Sequence, residues 1–326
     1  MIRELKIAVS ASGKEAQYDE HAKNIAGQKF IIANILAKSV DAFRGMKPKD
    51  IVPYIEGEPY ISRVPAEPGL TNAAWEENGQ RVTGLNTENQ EINEGLTRFD
   101  IICYVQLPER DGEKVPDGKK KLLTQIIINV EIQKNQPKKY KILNRSIFYV
   151  CRQISAQKER DFVGSHYDDI KNVYSIWICM NMEKNSMCHI HLTKEDIIDA
   201  QQWKGNLDLL NIIMIGIGKE VPGREEGYEL HRLLGAVFSK KLTLEEKLNI
   251  LQEYDVPVEE EFRKDVNEMC NLGEGILEDG IEIGLERGRK EACTELINNM
   301  HKNGFTAEQI AAAIDMELEE VQTILA

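Results

Sequence analysis

With 326 residues, 42% of them hydrophobic, the chain holds material for one large core or two modest ones. A formal net charge of -13 argues against a protein that coats nucleic acid over its whole surface, but the charge is uneven. Arg110 to Arg160 carries 13 basic residues against 5 acidic, net +8, whereas Thr243 to Ala326 carries 7 against 21, net -14.

In chain order, Met1 to Ser10 has Arg3, Glu4 and Lys6 with no apolar block behind them, so no secretion signal is read and a cytoplasmic protein is expected. Gln28 to Phe43 has helical spacing and ends at Gly45 and Pro48. Pro53 to Gly95 is rich in Pro, Gly, Asn and Glu and reads as loop with an edge strand at Tyr60 to Val64. Thr97 to Leu107 and Leu122 to Gln133 read as the two strands of a hairpin, joined by a loop holding Pro108, Gly112, Pro116 and Gly118. Tyr140 to Gln157 reads as a helix with Ile142, Leu143, Ile147, Val150, Cys151 and Ile154 at apolar positions and Arg145, Tyr149, Arg152 and Gln153 on another face. Val173 to Met182 and Met187 to Leu192 read as strands. The longest apolar stretch, Leu207 to Ile217, is broken by Asp208, Asn211 and Gly216 and falls short of the roughly twenty residues of a membrane-spanning helix, so no membrane partner is expected.

This order predicts an α/β (α+β) core over 1–240, with a central mixed sheet flanked by helices. A charged helical tail follows over 241–326. In the tail, Gly280, Gly284 and Gly288 recur every four residues, a small-residue stripe suited to close helix packing or to self-association into a homo-oligomer. Thr306 to Ile314 and Leu318 to Ile324 read as two short helices around a turn, like a helix-turn-helix, with a capping-box pattern at Thr306 and Gln309. Glu317, Glu319 and Glu320 on the second helix oppose phosphate and favour a partner or oligomer contact.

Chemistry concentrates in the hairpin. Asp100 closes onto the apolar run Ile101 to Val105, and Glu131 interrupts the β-branched run that begins at Ile126. A carboxylate buried in such a strand costs several kcal/mol unless it is partnered, and two on neighbouring strands call for a cation between them. Strand alternation puts Glu131 and Gln133 on one face. Magnesium, or manganese, accepts oxygen ligands and keeps several waters, so Asp100, Glu131 and the backbone carbonyl of Ile132 would suffice to bind it. The Gln133 amide would then orient a water. The plainer alternative is an ion pair of these acids with Arg98 or Arg145. For Arg145, Tyr149, Arg152 and Gln153 the choice is between a solvated helix face and contacts to DNA phosphates. Lys119, Lys120, Lys121, Lys138, Lys139 and Lys141 would follow a nucleic-acid backbone or stay solvated.

Six cysteines at 103, 151, 179, 188, 270 and 293 form no C-x-x-C pair and read as individually packed thiols. Cys188, His189 and His191 suggest a soft-metal site, but alternation leaves Cys188 on the other face and no fourth ligand is evident, which favours a structural reading.

Asp100 followed by Glu131-Ile132-Gln133 resembles the metal site of the PD-(D/E)XK nuclease superfamily. The flanking blocks resemble its transposase branch, the recombination-promoting nucleases: Gly84 to Thr87, Glu94 to Asp100, Ile128 to Lys134, Arg145 to Ser155, and His166 to Met180. Together they fall within residues 25 to 240. The resemblance implies a restriction-endonuclease-like fold, magnesium dependence and phosphodiester hydrolysis in DNA, with Asp100 and Glu131 as metal ligands. Gln133 stands where the superfamily has lysine, and Lys134 is one residue out of register. Many members carry a further acid on the first helix, where Asn34 is the candidate substitute; Glu94 is a separate candidate for a third acid. The rival reading is an inactive nuclease-fold protein that binds DNA or serves as a scaffold.

Overall fold

The computed structural model describes residues 14, 16–61, 88–91, 95–98, 100–108, 124–137 and 139–325. The loop lysines 119–121, Lys138 and the candidate acid Glu94 lie outside them.

Where β-branched and other apolar residues dominate, the chain forms central strands buried on both faces. Strands β4 (Ile101–Gln106), β5 (Gln125–Gln133), β6 (Val173–Met182) and β8 (Leu210–Gly218) make the middle of a six-stranded mixed sheet. A two-residue strand β1 (Tyr60–Ile61) lies on one edge and β7 (Ser186–His191) on the other. β4 and β5 are the antiparallel hairpin expected from the sequence, with Ile101 opposite Val130. β5, β6 and β8 are parallel, and Glu131 lies opposite Trp177. A separate ribbon pairs β2 (Glu88–Glu91) with β3 (Gly95–Arg98). No described helix is long and apolar enough to cross a membrane.

Helices flank this sheet. The segment 16–26 forms α1, which the sequence reading passed over, although Tyr18, Ala22, Ile25 and Ala26 are buried at helical spacing. It is followed by α2 (Lys29–Ser39), shorter than the expected span because Asp41–Phe43 tightens into a 3-10 turn. Helix α3 (Ile142–Ser155) crosses from β5 to the parallel β6 and contributes Val150 to the core around Ile127, Trp177 and Ile212.

α3 lies partly against its apolar pattern. Leu143, Ile147 and Phe148 are 40%, 42% and 48% exposed, while Ser146, Val150, Arg152 and Gln153 are buried. Ile142, Val150 and Ile154 pack inward as the pattern predicts, but Arg152 and Gln153 of the expected solvated face turn toward the sheet with them.

Helices α4 (Glu229–Phe238) and α5 (Leu244–Glu253) complete the sheet unit, which spans Tyr18–Cys270. It extends past the boundary at 240 that composition suggested. Lys247 shows why: it is fully buried, and its ammonium donates to Val237 O at 3.1 Å, while the Tyr18 hydroxyl donates to Phe238 O at 2.6 Å. The open carbonyls ending α4 thus receive two donors, one of them a cation on the favourable side of the helix dipole.

The second unit takes in Asn271–Ala326. Its small core joins Ile297 on the long α6 (Glu260–Lys302) to Ile310 and Ala311 on α7 (Ala307–Ile314) and Val321 on α8 (Leu318–Leu325). The Thr306–Gln309 capping box forms as expected. An added Cβ at Gly284 or Gly288 would meet nothing within 4 Å, so no described side chain packs on that part of the glycine stripe.

Candidate metal centre

Antiparallel register brings the two acids together. Continuing the Ile101–Val130 pairing by one step sets Asp100 across from Glu131. The Asp100 N–H donates to Glu131 Oε1 at 3.1 Å, and the Ile132 N–H donates to Asp100 Oδ2 at 3.0 Å. Each acid is thus held by the backbone of the other's strand.

Glu131 is only 3% exposed. Burial pushes its carboxyl well above the usual range, and the neighbouring charge of Asp100 adds to the rise; the Asp100 N–H, Arg145 and Asn129 pull the other way without cancelling it. Asn129 donates to Glu131 Oε1 at 3.2 Å when its amide is turned to accept from Ser175. The sheet therefore carries a buried glutamate, costly to ionise, beside a half-buried aspartate.

A lysine that the sequence reading missed reaches this pair. Lys23, on α1, lies 2.9 Å from Asp100 Oδ1 and 3.1 Å from Asp19 Oδ2 one turn earlier. Burial would lower its pKa, but the two aspartates outweigh that and hold it above the ordinary lysine value. The side chain that reaches the pair comes from α1, not from Asn34 on α2. The Asn34 amide bonds back to Phe30 O at 2.9 Å within its own helix. Only the burial spacing of α1 could have signalled this from sequence.

Gln133 is committed elsewhere: its amide donates to Asn135 O at 2.6 Å and accepts from Arg145 at 3.4 Å. Ile132 turns its side chain to the other face, where it is buried, and its N–H is spent on Asp100. Lys134, expected to face away, lies over the Tyr18 ring at 5.1 Å.

On α3, Arg145 donates to the Tyr149 and Tyr140 hydroxyls at 2.7 and 2.9 Å. Its guanidinium lies 4.7 Å from the Tyr149 ring centre and 5.5 Å from that of Trp177. The charge of Glu131 contributes to holding the Arg145 pKa up. Arg145 and Tyr149 thus lie near enough to Glu131 to feel its charge. Arg152 and Gln153 are not available for phosphate: they are 4% and 2% exposed, and Arg152 packs against the Phe148 ring. They sit on the side of α3 that faces the sheet, which corrects the expectation that all four share a phosphate-facing surface.

The donor set can be weighed against a hard divalent ion. Asp100 and Glu131 offer oxygens only, and Glu131 lacks a full countercharge, so the chemistry fits magnesium or manganese. Among the described residues no three His, Cys, Asp or Glu side chains are grouped around one point, so water would fill the remaining positions. No family model matches the chain, and comparison with curated proteins and with solved structures gives no match either.

Proposed function

We propose that this chain is a magnesium-dependent DNA endonuclease with a restriction-endonuclease-like core, of the transposase-like PD-(D/E)XK branch that its sequence resembles. The single observation that carries the reading is the meeting of Asp100 and Glu131, 31 residues apart, in reciprocal backbone bonds with Glu131 buried. Two parallel strands joined by a crossover helix, with an antiparallel strand bearing the first acid, support the fold assignment.

Asp100 and Glu131 would hold the ion, which supplies a water of lowered pKa and neutralises charge on the phosphodiester. Lys23 forms an ion pair with Asp100 and stands where its ammonium can also hold a water. It brings to the site the amine that Gln133 lacks. Arg145, its plane set by Tyr149 and Trp177, offers donors to a phosphate oxygen, positioning the backbone without reading bases. Gln133 acts through Arg145 as a positioning residue.

A second reading, DNA binding without cleavage, is favoured by one observation: Lys23 already neutralises Asp100 while Gln133 is tied to Asn135. One assay separates the two. The purified chain is given linear, nicked and branched DNA, and RNA, with magnesium or with chelator. Cleavage that needs magnesium and disappears in Glu131→Gln supports the nuclease; retarded DNA that stays intact under every condition leaves only the binding protein.

A further inference from the structure

We propose a second metal site, distinct from the acid pair, in which His189 and His191 on the edge strand β7 chelate a borderline-soft divalent transition ion such as zinc or nickel. Both imidazoles are exposed and project from the same face of the strand. Their ring centres lie 4.8 Å apart with planes 29° apart, so the rings stack on one another. Two nitrogens each about 2.1 Å from one zinc ion are at most about 4.2 Å apart, a separation these rings reach by small rotations of their side chains.

The tautomer of His189 is set by a neighbour. Asn211, 2% exposed, donates its Nδ2 to Asp208 O at 2.6 Å, which fixes its amide so that Oδ1 faces His189. That oxygen lies 2.9 Å from His189 Nε2. An acceptor there requires the proton on Nε2, so the lone pair resides on Nδ1. A ligating histidine whose other nitrogen donates to a fixed oxygen is the usual arrangement around protein-bound zinc. Tyr174, stacked on the His189 ring at 6.4 Å, further limits its orientation.

Cys188 is not part of the site: it pairs with Met214 and so sits on the opposite face from His189, which pairs with Ile213. The remaining positions belong to water. Imidazole selects zinc, nickel or copper over magnesium, so this site and the acid pair take different ions.

The test titrates zinc chloride into the full chain with reduced cysteines, by calorimetry and by imidazole 15N NMR. One zinc per chain is expected at the pair, with the His189 Nδ1 resonance shifting and the binding undisturbed by a large excess of magnesium. His189→Gln and His191→Gln, both at exposed positions, should each weaken that binding about tenfold or more, while Glu131→Gln leaves it unchanged. The proposal falls if no zinc binds in the micromolar range, if both histidine variants bind as the parent does, or if Glu131→Gln removes the site. Loss of DNA cleavage in Glu131→Gln with zinc binding intact keeps the two sites' fates separate.

Discussion

Two buried carboxylates beside strand β4 are treated in opposite ways. The Asp161 side chain, 5% exposed, receives the Tyr104 hydroxyl, Arg160 at 2.8 Å and Lys171 at 2.8 Å. Burial would raise its pKa, but the bonds from Lys171 and Tyr104 and the charge of Arg160 bring it below the ordinary value. Glu131 is as deeply buried, faces Asp100, and is raised. The fold can neutralise an interior acid completely, as it does at Asp161. At Glu131 burial and the neighbouring acid penalise the ionised carboxylate, a state that a bound cation would relieve.

The sharpest way to break this contrast is to remove each acid. Asp161→Ala should cost about 3 kcal/mol, since it strands two cations and a phenol around one vacated position; chemical denaturation measures it. Glu131→Gln should do the reverse and stabilise the fold by about 1–2 kcal/mol while abolishing cleavage. A variant that is both less stable and still active would end the reading of Glu131 as a held charge.

Magnesium should act like the glutamine substitution. Occupancy at ten times the dissociation constant adds about 1.4 kcal/mol, seen as a rise in thermal midpoint that Glu131→Gln lacks. The two acids should also give opposite pH slopes. The stability from Asp161 is present above the usual carboxylate range and is lost as pH falls through its lowered pKa. The penalty from Glu131 is absent in acid and grows as pH rises from the usual range through its raised pKa. Thermal melts from pH 3 to 8 should therefore show the advantage of Glu131→Gln widening with pH and the deficit of Asp161→Ala narrowing toward acid. The smallest effect belongs to Lys23→Met, expected to cost about 1 kcal/mol without metal and to tighten magnesium binding, because the ammonium no longer competes for Asp100.

The acid pair was legible because its two strands are consecutive and alternate cleanly, so register alone aligns position 100 with 131. Val173–Met182 was legible for a similar reason, being a long β-branched and aromatic run. What escaped was set by tertiary contact. Lys23 lies on a helix in which polar and small residues, among them Gln17, Asp19, Glu20, His21 and Asn24, obscure four buried positions, and its partner is far along the chain. β8 escaped because Asn211, Gly216 and Gly218 interrupt its apolar pattern, yet Asn211 is bonded and Gly216 lets Ser186 approach, since a Cβ there would lie 2.5 Å from the Ser186 hydroxyl. The burial of Arg152 and Gln153 runs against the side-chain pattern itself, and periodicity could not have revealed it.

That setting of α3 has a mechanical consequence. Rolling Leu143, Ile147 and Phe148 inward would carry Val150, Ile142 and Ile154 out of the core they pack against, so those inward side chains fix the rotational setting of the helix. The latch is the guanidinium sandwiched among Tyr149, Tyr140 and Trp177, together with the inward side chains one turn on. Truncating Trp177 would therefore do more than leave a void: it would remove one of the rings that hold the Arg145 guanidinium in place.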